Sequence, residues 1–213
     1  MEPMKKLALL IDGEWFRRRL EEALNSKLPK GVTADVLYRN ALSCVASDEE
    51  LFRIFYYDCP PFDGKETNPI DGTTIEFKKR PKYAARHRFL HELKSKDYIA
   101  MRLGVCKQRG WTLTDAYIKK AIKGQHQPLQ ATDVLLSLEQ KGVDMRIGID
   151  VATLSLKRIV DRIVLVSGDI DMVPALKLAR REGIQVIMIQ VGCKISPQLD
   201  EDSDLVRDIT PVP

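Results

Sequence analysis

The sequence predicts an α/β fold with a mostly parallel central sheet that helices cover on both faces. Apolar runs of strand length alternate with longer segments whose apolar residues recur at helical spacing. The strands are separated by helices rather than by hairpin turns, which favours parallel pairing. At 213 residues and 44% hydrophobic content, the chain is long enough for one substantial core. The order of the strands does not follow from these observations.

The N-terminal third predicts a strand, two helices and a second strand. Residues 6–11 predict a buried strand that stops at Asp12, and a helix with apolar residues at 15, 16, 20 and 24 follows, ending before residue 29. Thr33 is a capping residue for a second helix whose apolar stripe reaches Val45. Residues 51–57 predict a strand, and the prolines after Asp58 indicate a polar loop to about residue 74.

The middle of the chain, residues 78–123, is strongly basic. It carries 14 basic and 3 acidic side chains, whereas residues 1–77 carry 10 and 14 and residues 124–213 carry 10 and 13. A basic helix is predicted from Pro81 to about Ser95 and a strand over 99–105, but residues 107–132 show no clear pattern. A solvated helix normally mixes acidic residues among its basic ones. We therefore predict contact with nucleic acid, the alternative being an ordinary solvated face.

The sequence signals for helices and strands are clear again after residue 140. Apolar residues at 147, 151, 154 and 159 predict a helix of about four turns, with Asp144 at or near its N-terminus. A strand over 162–166, a helix over 173–182 closed by Gly183, and a strand over 184–189 follow. The main domain is thus predicted to take residues 1–192. Residues 193–213 are expected to form an acidic C-terminal tail at the surface.

Composition excludes some classes of protein. No apolar run approaches the length of a membrane span, and the start of the chain lacks the pattern of a secretory signal. We expect a cytoplasmic protein with no membrane partner. The four cysteines, Cys44, Cys59, Cys106 and Cys193, are scattered and are expected to be reduced thiols that fill the core.

Aspartates follow the predicted strands at several points far apart in the sequence. Asp12 ends the first strand, Asp169 and Asp171 follow the strand at 162–166, and Asp144 begins a helix after a turn. In open α/β sheets, functional groups gather outside the carboxyl ends of the strands. Carboxylates that meet there repel one another unless a cation lies between them, which indicates a divalent metal. Alternatively, each aspartate serves separately as a helix cap or a turn residue.

Three segments resemble the signature of a known family: Ile11-Asp12-Gly13-Glu14, Lys141-Gly142-Val143-Asp144 and Val166-Ser167-Gly168-Asp169-Ile170-Asp171. They are similar to the motifs of the NYN, or LabA-like, domains of the PIN-like nuclease superfamily, and the resemblance runs from about residue 5 to residue 191. It implies a three-layer α/β/α Rossmann-like sandwich, an acidic pocket for Mg²⁺ or Mn²⁺, and cleavage of single-stranded or structured RNA.

The resemblance assigns roles to individual residues. Asp12, Asp144, Asp169 and Asp171 take the catalytic and metal-binding positions, and Asp150 is a further metal-ligand candidate. Trp15 stands where many relatives have asparagine, and Ile170 stands where many have a small polar residue.

Two functions remain open from the sequence. The first is a metal-dependent endoribonuclease, and the second is a non-catalytic RNA- or protein-binding module that kept an acidic pocket. RNA is the expected partner in the first, and self-association is left open. The residues predicted to contact the substrate are Ser167, which serves equally well as a turn residue, and Lys79, Arg80, Arg86 and Arg88.

Overall fold

The computed structural model describes residues 3–24, 31–125 and 127–213. The predicted C-terminal end of the first helix, up to residue 29, lies outside the described residues. The chain divides into two compact units. The first, called the sheet unit, comprises Met1–Asp58, Phe89–Gly104 and Gly142–Pro213, and the second, called the hairpin unit, comprises Cys59–Arg88 and Val105–Lys141. No helix in the described ranges is long and apolar enough to cross a membrane.

The elements are numbered along the chain. The strands are β1 (Lys5–Asp12), β2 (Glu49–Asp58), β3 (Lys65–Thr67), β4 (Thr74–Glu76), β5 (Ile99–Leu103), β6 (Val105–Leu113), β7 (Val134–Lys141), β8 (Arg162–Val166), β9 (Gln185–Val191) and β10 (Leu205–Ile209). The α-helices are α1 (Gly13–Leu24), α2 (Ala34–Leu42), α3 (Pro81–Lys94), α4 (Asp115–Ile122), α5 (Val143–Leu156), α6 (Val173–Arg181) and α7 (Pro197–Glu201). Within the described residues, 3₁₀ turns cover Phe77–Lys79, Ala131–Asp133 and Ile170–Met172.

The sheet unit is built on a six-stranded sheet in the order β10-β9-β8-β1-β2-β5. Every pairing in it is parallel, as the helix-length connections predict. From the inner strand β1, the chain adds β2 and β5 on one side and then returns to add β8, β9 and β10 on the other. The winding direction therefore reverses between β1 and β8.

Helices cover both faces of this sheet, which confirms the predicted three-layer α/β/α architecture. Alternate residues of β1, such as Leu9 and Ile11, share a buried cluster with Phe16 of α1 and Leu37 of α2. Because side chains alternate along a strand, the intervening residues, such as Leu10, point to the opposite face. On that face α5 and α6 pack against each other and against β2, β5 and β9.

Local signals explain where the helices begin and end. The Thr33 hydroxyl accepts a hydrogen bond from the backbone N–H of Val36, which confirms the predicted cap of α2. Gly142, not Asp144, is the N-cap of α5, in the left-handed region at φ 79°. Val45 and Ile159 were expected to continue α2 and α5, but these helices end earlier, at caps formed by Ser43 and Lys157. Apolar spacing alone does not reveal such stops.

A buried carboxylate ties distant strands together at the amino edge of the sheet. Glu49 at the start of β2 has a fully buried side chain that accepts hydrogen bonds from Arg162 of β8 and Arg207 of β10. Its Oε2 also accepts from the backbone N–H of Ala46 at 2.8 Å. These hydrogen bonds hold the pKa of Glu49 below its usual range although burial opposes them.

The C-terminal stretch 193–213 contains ordered elements that we did not predict. It contributes α7 and the edge strand β10, which pairs parallel with β9. Leu205 and Asp208 of β10 are exposed and only Ile209 is buried, so the sequence of this edge strand shows no clear apolar alternation. Buried Asn40 of α2 holds the following segment, exchanging hydrogen bonds with the backbone of Val212.

The hairpin unit contains two antiparallel ribbons, β3–β4 and β6–β7, with α4 between the strands of the second. The expectation of a polar loop up to about residue 74 was therefore wrong at β3. The strand predicted over 99–105 is in fact two strands, because β5 ends at Leu103 and β6 begins at Val105. Short strands with exposed charged residues carry too little apolar signal to be recognised.

The four cysteines, all within the described residues, form no disulfide. Cys44 and Cys59 are buried, as predicted for core residues, whereas Cys106 and Cys193 are half-buried. Burial raises the pKa of the Cys44 thiol to about 12.

Candidate functional site

The carboxyl edge of the sheet places Asp12 next to the loop after β8. Strands β1 and β8 are neighbours, and Ile11 pairs with Val166, so that Asp12 and Ser167 follow at the same level. The winding of the chain reverses between these two strands. In open α/β sheets, a crevice forms outside the carboxyl ends of the strands at such a reversal.

The Asp12 carboxylate at this edge is oriented by a hydrogen bond, and its surroundings destabilise its ionised form. Its Oδ1 accepts a hydrogen bond of 3.1 Å from the backbone N–H of Trp15 in the first turn of α1. Burial raises the pKa of Asp12 to about 6, and the charges of Asp58, Glu14 and Asp144 add to the increase, although the Trp15 hydrogen bond opposes it. The ionised form of Asp12 is thus disfavoured by its surroundings.

Asp144 connects Asp12 with the aspartates after β8. It lies in the first turn of α5, and its pKa is raised by partial burial and then by the charges of Asp169 and Asp171. Asp169 accepts a hydrogen bond of 2.9 Å from the backbone N–H of Asp171, while its own N–H donates to the buried hydroxyl of Ser167 at 3.1 Å. Asp12, Asp144, Asp169 and Asp171 therefore lie within electrostatic range as a connected set.

The carboxylate oxygens of these aspartates are suitable ligands for a divalent cation, but the side chains do not already converge into a complete metal site. Carboxylate oxygens on short side chains are the ligands that Mg²⁺ and Mn²⁺ prefer, and burial together with neighbouring carboxylates raises the pKa of Asp12 and Asp144. Within residues 3–24, 31–125 and 127–213, no three His, Cys, Asp or Glu side chains already converge closely enough to hold a metal ion.

Asp150 is engaged elsewhere. Its Oδ2 accepts a hydrogen bond of 2.8 Å from the hydroxyl of Tyr57 and another of 2.8 Å from Nε of Arg102. Burial and the nearby Asp150 charge raise the pKa of Tyr57 well above its usual range. These contacts tie α5 to β2 and β5, and Asp150 does not contribute to the raised pKa of Asp12 or Asp144.

Asp58 belongs to the site and was missed by the sequence reasoning. It ends β2, beside β1, and is 1% exposed. It accepts a hydrogen bond of 2.8 Å from the hydroxyl of Tyr56 and lies 3.8 Å from the guanidinium of Arg17 on α1. The rule that selected Asp12, an aspartate at the end of an apolar strand, also applies to Asp58. The prolines that follow Asp58 indicated only a loop.

Two glycines of the motifs are required by close packing. A Cβ at Gly13 would lie 2.7 Å from Oδ2 of Asp58 and overlap the Tyr56 ring. A Cβ at Gly168 would lie 2.9 Å from Cε2 of Trp15. Trp15 therefore packs directly over the loop after β8, in the space that the missing side chain of Gly168 leaves.

The predicted substrate-contacting cations differ in their surroundings. Lys79 forms an ion pair with Glu76, and the Arg80 guanidinium lies 5.3 Å from the centre of the Phe77 ring. Arg86 is half-buried and Arg88 is exposed. The hairpin unit as a whole carries 13 basic and 7 acidic side chains, whereas the sheet unit carries 21 and 23. Positive charge is thus concentrated in the hairpin unit.

Comparison with known proteins defines the class first. The structure is similar, with a TM-score of 0.50, to the crystal structure of a protein of unknown function from Vibrio parahaemolyticus. The match covers 98% of this chain and 95% of the other at 16% sequence identity, so that it supports the fold alone. The comparison with curated proteins gives no match.

The family follows from the sequence model of the NYN domain, which matches residues 6–207. The chain belongs to the NYN domain family, within the PIN-like superfamily. This confirms the resemblance on which the sequence analysis relied. PIN-like nucleases act on nucleic acids and generally use divalent metals.

Proposed function

We propose that this protein is a metal-dependent endoribonuclease whose reaction centre is formed by Asp12, Asp144, Asp169 and Asp171. The observation that supports this most strongly is geometric: Asp12 and the loop that carries Asp169 follow the paired strands β1 and β8 where the winding of the chain reverses, and the charge of Asp144 acts on Asp12 while that of Asp169 acts on Asp144. Carboxylates held together at an electrostatic cost are typical of sites completed by a cation. Membership of the NYN domain family also relates the protein to the PIN-like nucleases.

Each residue of this reaction centre would have its own role. Asp12 and Asp169 would be the central ligands of Mg²⁺ or Mn²⁺, with Asp144 and Asp171 holding a second ion or water molecules. A divalent ion held there would lower the pKa of a bound water molecule and neutralise charge on the scissile phosphate. The backbone N–H of Trp15 orients Asp12, and the Ser167 hydroxyl fixes the backbone of Asp169. Ser167 is thus a positioning residue in this proposal, and Asp150 is not a ligand.

The basic residues of the hairpin unit would hold the RNA backbone. Phosphate attraction supplies most of the non-specific affinity in protein–nucleic acid complexes. Exposed cations without an ion pair are the most available for this role, and within the basic segment 78–88 the described side chains that meet this criterion are Lys78, Lys82, Arg88 and Arg80, the last of which also lies over the Phe77 ring. Lys79 is less available because Glu76 already neutralises it.

A cleavage assay tests the proposal. Labelled single-stranded RNA is incubated with Mg²⁺ or Mn²⁺ and the wild-type protein, the Asp169→Asn variant, or Asp208→Asn as a control on the exposed edge strand β10. We expect cleavage by the wild type and the control, no cleavage by Asp169→Asn, and complete loss with EDTA. RNA binding without metal-dependent cleavage, across several substrates, would instead support the non-catalytic module.

A further inference from the structure

A groove lies between α5 and α6, on the side of the sheet opposite α1 and α2. Its volume is about 490 Å³, and it is lined by ten residues from 144–152 and 171–178. Gly148, Ala152 and Ala175 are among them, so that the two helices leave open space where larger side chains would fill it. A Cβ built on Gly148 meets no heavy atom within 4 Å.

The groove is apolar along its length and acidic at one end. Met145 and Ile149 are 70% and 57% exposed, which is unusual for side chains of this size within one helix. The only charged lining residues are Asp144 and Asp171, two members of the proposed reaction centre. No lysine or arginine lines it, so the groove offers nothing to a phosphate group.

We propose that this groove holds an unpaired nucleobase of the RNA adjacent to the phosphate at the reaction centre. The inference rests on the proposed function. An RNA strand whose phosphate reaches Asp144 and Asp171 must place its uncharged parts nearby, and the apolar groove begins at those same residues. Its volume lies within the range of small-molecule sites. A base in a duplex is stacked and paired, so the groove selects single-stranded or locally opened RNA.

A second copy of the chain fits the groove less well. Stable protein interfaces use about 20–30 residues from each partner, and ten residues line this groove. The groove is also continuous with the acidic edge, where two copies would bring like charges together.

The first test needs no variant. The wild-type protein is given an RNA oligonucleotide and a matched oligonucleotide in which the nucleotides flanking the cleavage position are abasic. The groove has no aromatic lining, so the base is held by apolar burial, and losing an apolar group of this size from a groove costs about 10- to 150-fold in affinity. We expect KM for the abasic substrate to rise within that range, while kcat changes by less than about threefold because the phosphate and carboxylates are unaltered.

The second test fills the groove. Gly148→Leu adds a side chain where there is room, and replacing a helical glycine raises helix propensity, so we expect an unchanged or higher Tm. Thr153→Leu on the same helix, outside the groove, is the matched control. With normal RNA, KM should rise for Gly148→Leu and stay unchanged for Thr153→Leu. With the abasic RNA, Gly148→Leu and the wild type should become alike.

The outcomes separate this inference from the proposed function. If the wild type cleaves both RNAs equally well, or if Gly148→Leu matches Thr153→Leu on normal RNA, the groove does not hold a base, although the nuclease proposal stands. If the wild type cleaves neither, the proposed function fails and this inference fails with it. If sedimentation shows a wild-type dimer that Gly148→Leu converts to monomer, the groove is a contact between copies.

Discussion

The hydroxyl of Tyr56 donates a hydrogen bond of 2.8 Å to Oδ2 of Asp58, and this pair closes over Gly13. The contact explains why glycine follows Asp12 at the end of β1. It also fixes Asp58 beside Asp12, where its charge helps to raise the pKa of Asp12.

Replacing Gly13 with alanine should destabilise the protein. The added Cβ overlaps the Tyr56 ring and the Asp58 carboxylate, and overpacking of this kind costs about 1–3 kcal/mol. Urea denaturation measures the change. Gly148→Ala is the control, because that position is open, and it should leave the free energy of unfolding unchanged or increase it. Equal stability of the two variants would show that Tyr56 and Asp58 do not pack as described.

The Asp12→Asn variant should change how stability depends on pH. The pKa of Asp12 is about 6 in the folded protein, against an ordinary value of 3.8. The free energy of unfolding that protonated Asp12 contributes is therefore fully present below about pH 3.8 and is lost as the pH rises through 6. Asparagine keeps the acceptor for the Trp15 N–H but does not ionise. The variant should therefore match the wild type near pH 4 and exceed it by up to about 3 kcal/mol at pH 7. Denaturation at both pH values checks this, and an advantage confined to low pH would contradict it.

The buried Glu49 carboxylate should be essential for stability. Glu49→Gln leaves the Arg162 and Arg207 guanidinium groups without their buried counter-charge, and breaking such a cluster costs about 3–5 kcal/mol. Folding lowers the pKa of Glu49 below its ordinary value. The stabilisation that the ionised Glu49 carboxylate gives the folded protein is therefore present above the ordinary pKa and is lost as the pH falls through the lowered one. The difference between variant and wild type should shrink in acid. Asp208→Asn, at an exposed carboxylate on β10, should change stability by less than about 0.5 kcal/mol.

RNA affinity should depend on the cations of the hairpin unit. Changing Lys78, Lys82 and Arg88 together to glutamine should weaken RNA binding and reduce the slope of log affinity against log salt by up to about 2, since each phosphate contact contributes about 0.7 with single strands. The matched control changes three exposed cations of the sheet unit, Lys157, Arg158 and Arg181, near the ends of α5 and α6. Titration at several salt concentrations measures both slopes. Equal slopes would make residues 78–88 an ordinary surface.

Much of the sheet unit could be predicted because its strands are buried and its helices carry local signals. The run ending at Asp12 and the strand at 162–166 are almost fully buried, and Thr33 and Gly183 mark helix boundaries. The strand β10 and the ribbon β6–β7 could not be predicted, because exposure in them does not follow polarity: Leu135 and Leu138 of β7 and Leu205 of β10 are exposed.

The candidate site was predictable in part for the same reason. Asp12 and Asp169 follow buried strands, and parallel strands bring their carboxyl ends to one edge. The engagement of Asp150 with Tyr57 and Arg102 depends on β2, β5 and α5 coming together, which no local pattern encodes. Asp58 follows the strand rule, but its contacts are with Tyr56 of the same strand and with Arg17 of α1, and the second of these depends on how the helix packs.

The central claim is that aspartates distant in sequence share a divalent cation at the carboxyl edge of the sheet. Crystals soaked in millimolar Mn²⁺ test it directly through anomalous scattering, which locates manganese without reference to activity. We predict a peak within coordination distance of both Asp12 and Asp169, and its loss in Asp169→Asn crystals. A wild-type map with no peak at these carboxylates, or with manganese bound only elsewhere, would contradict the account.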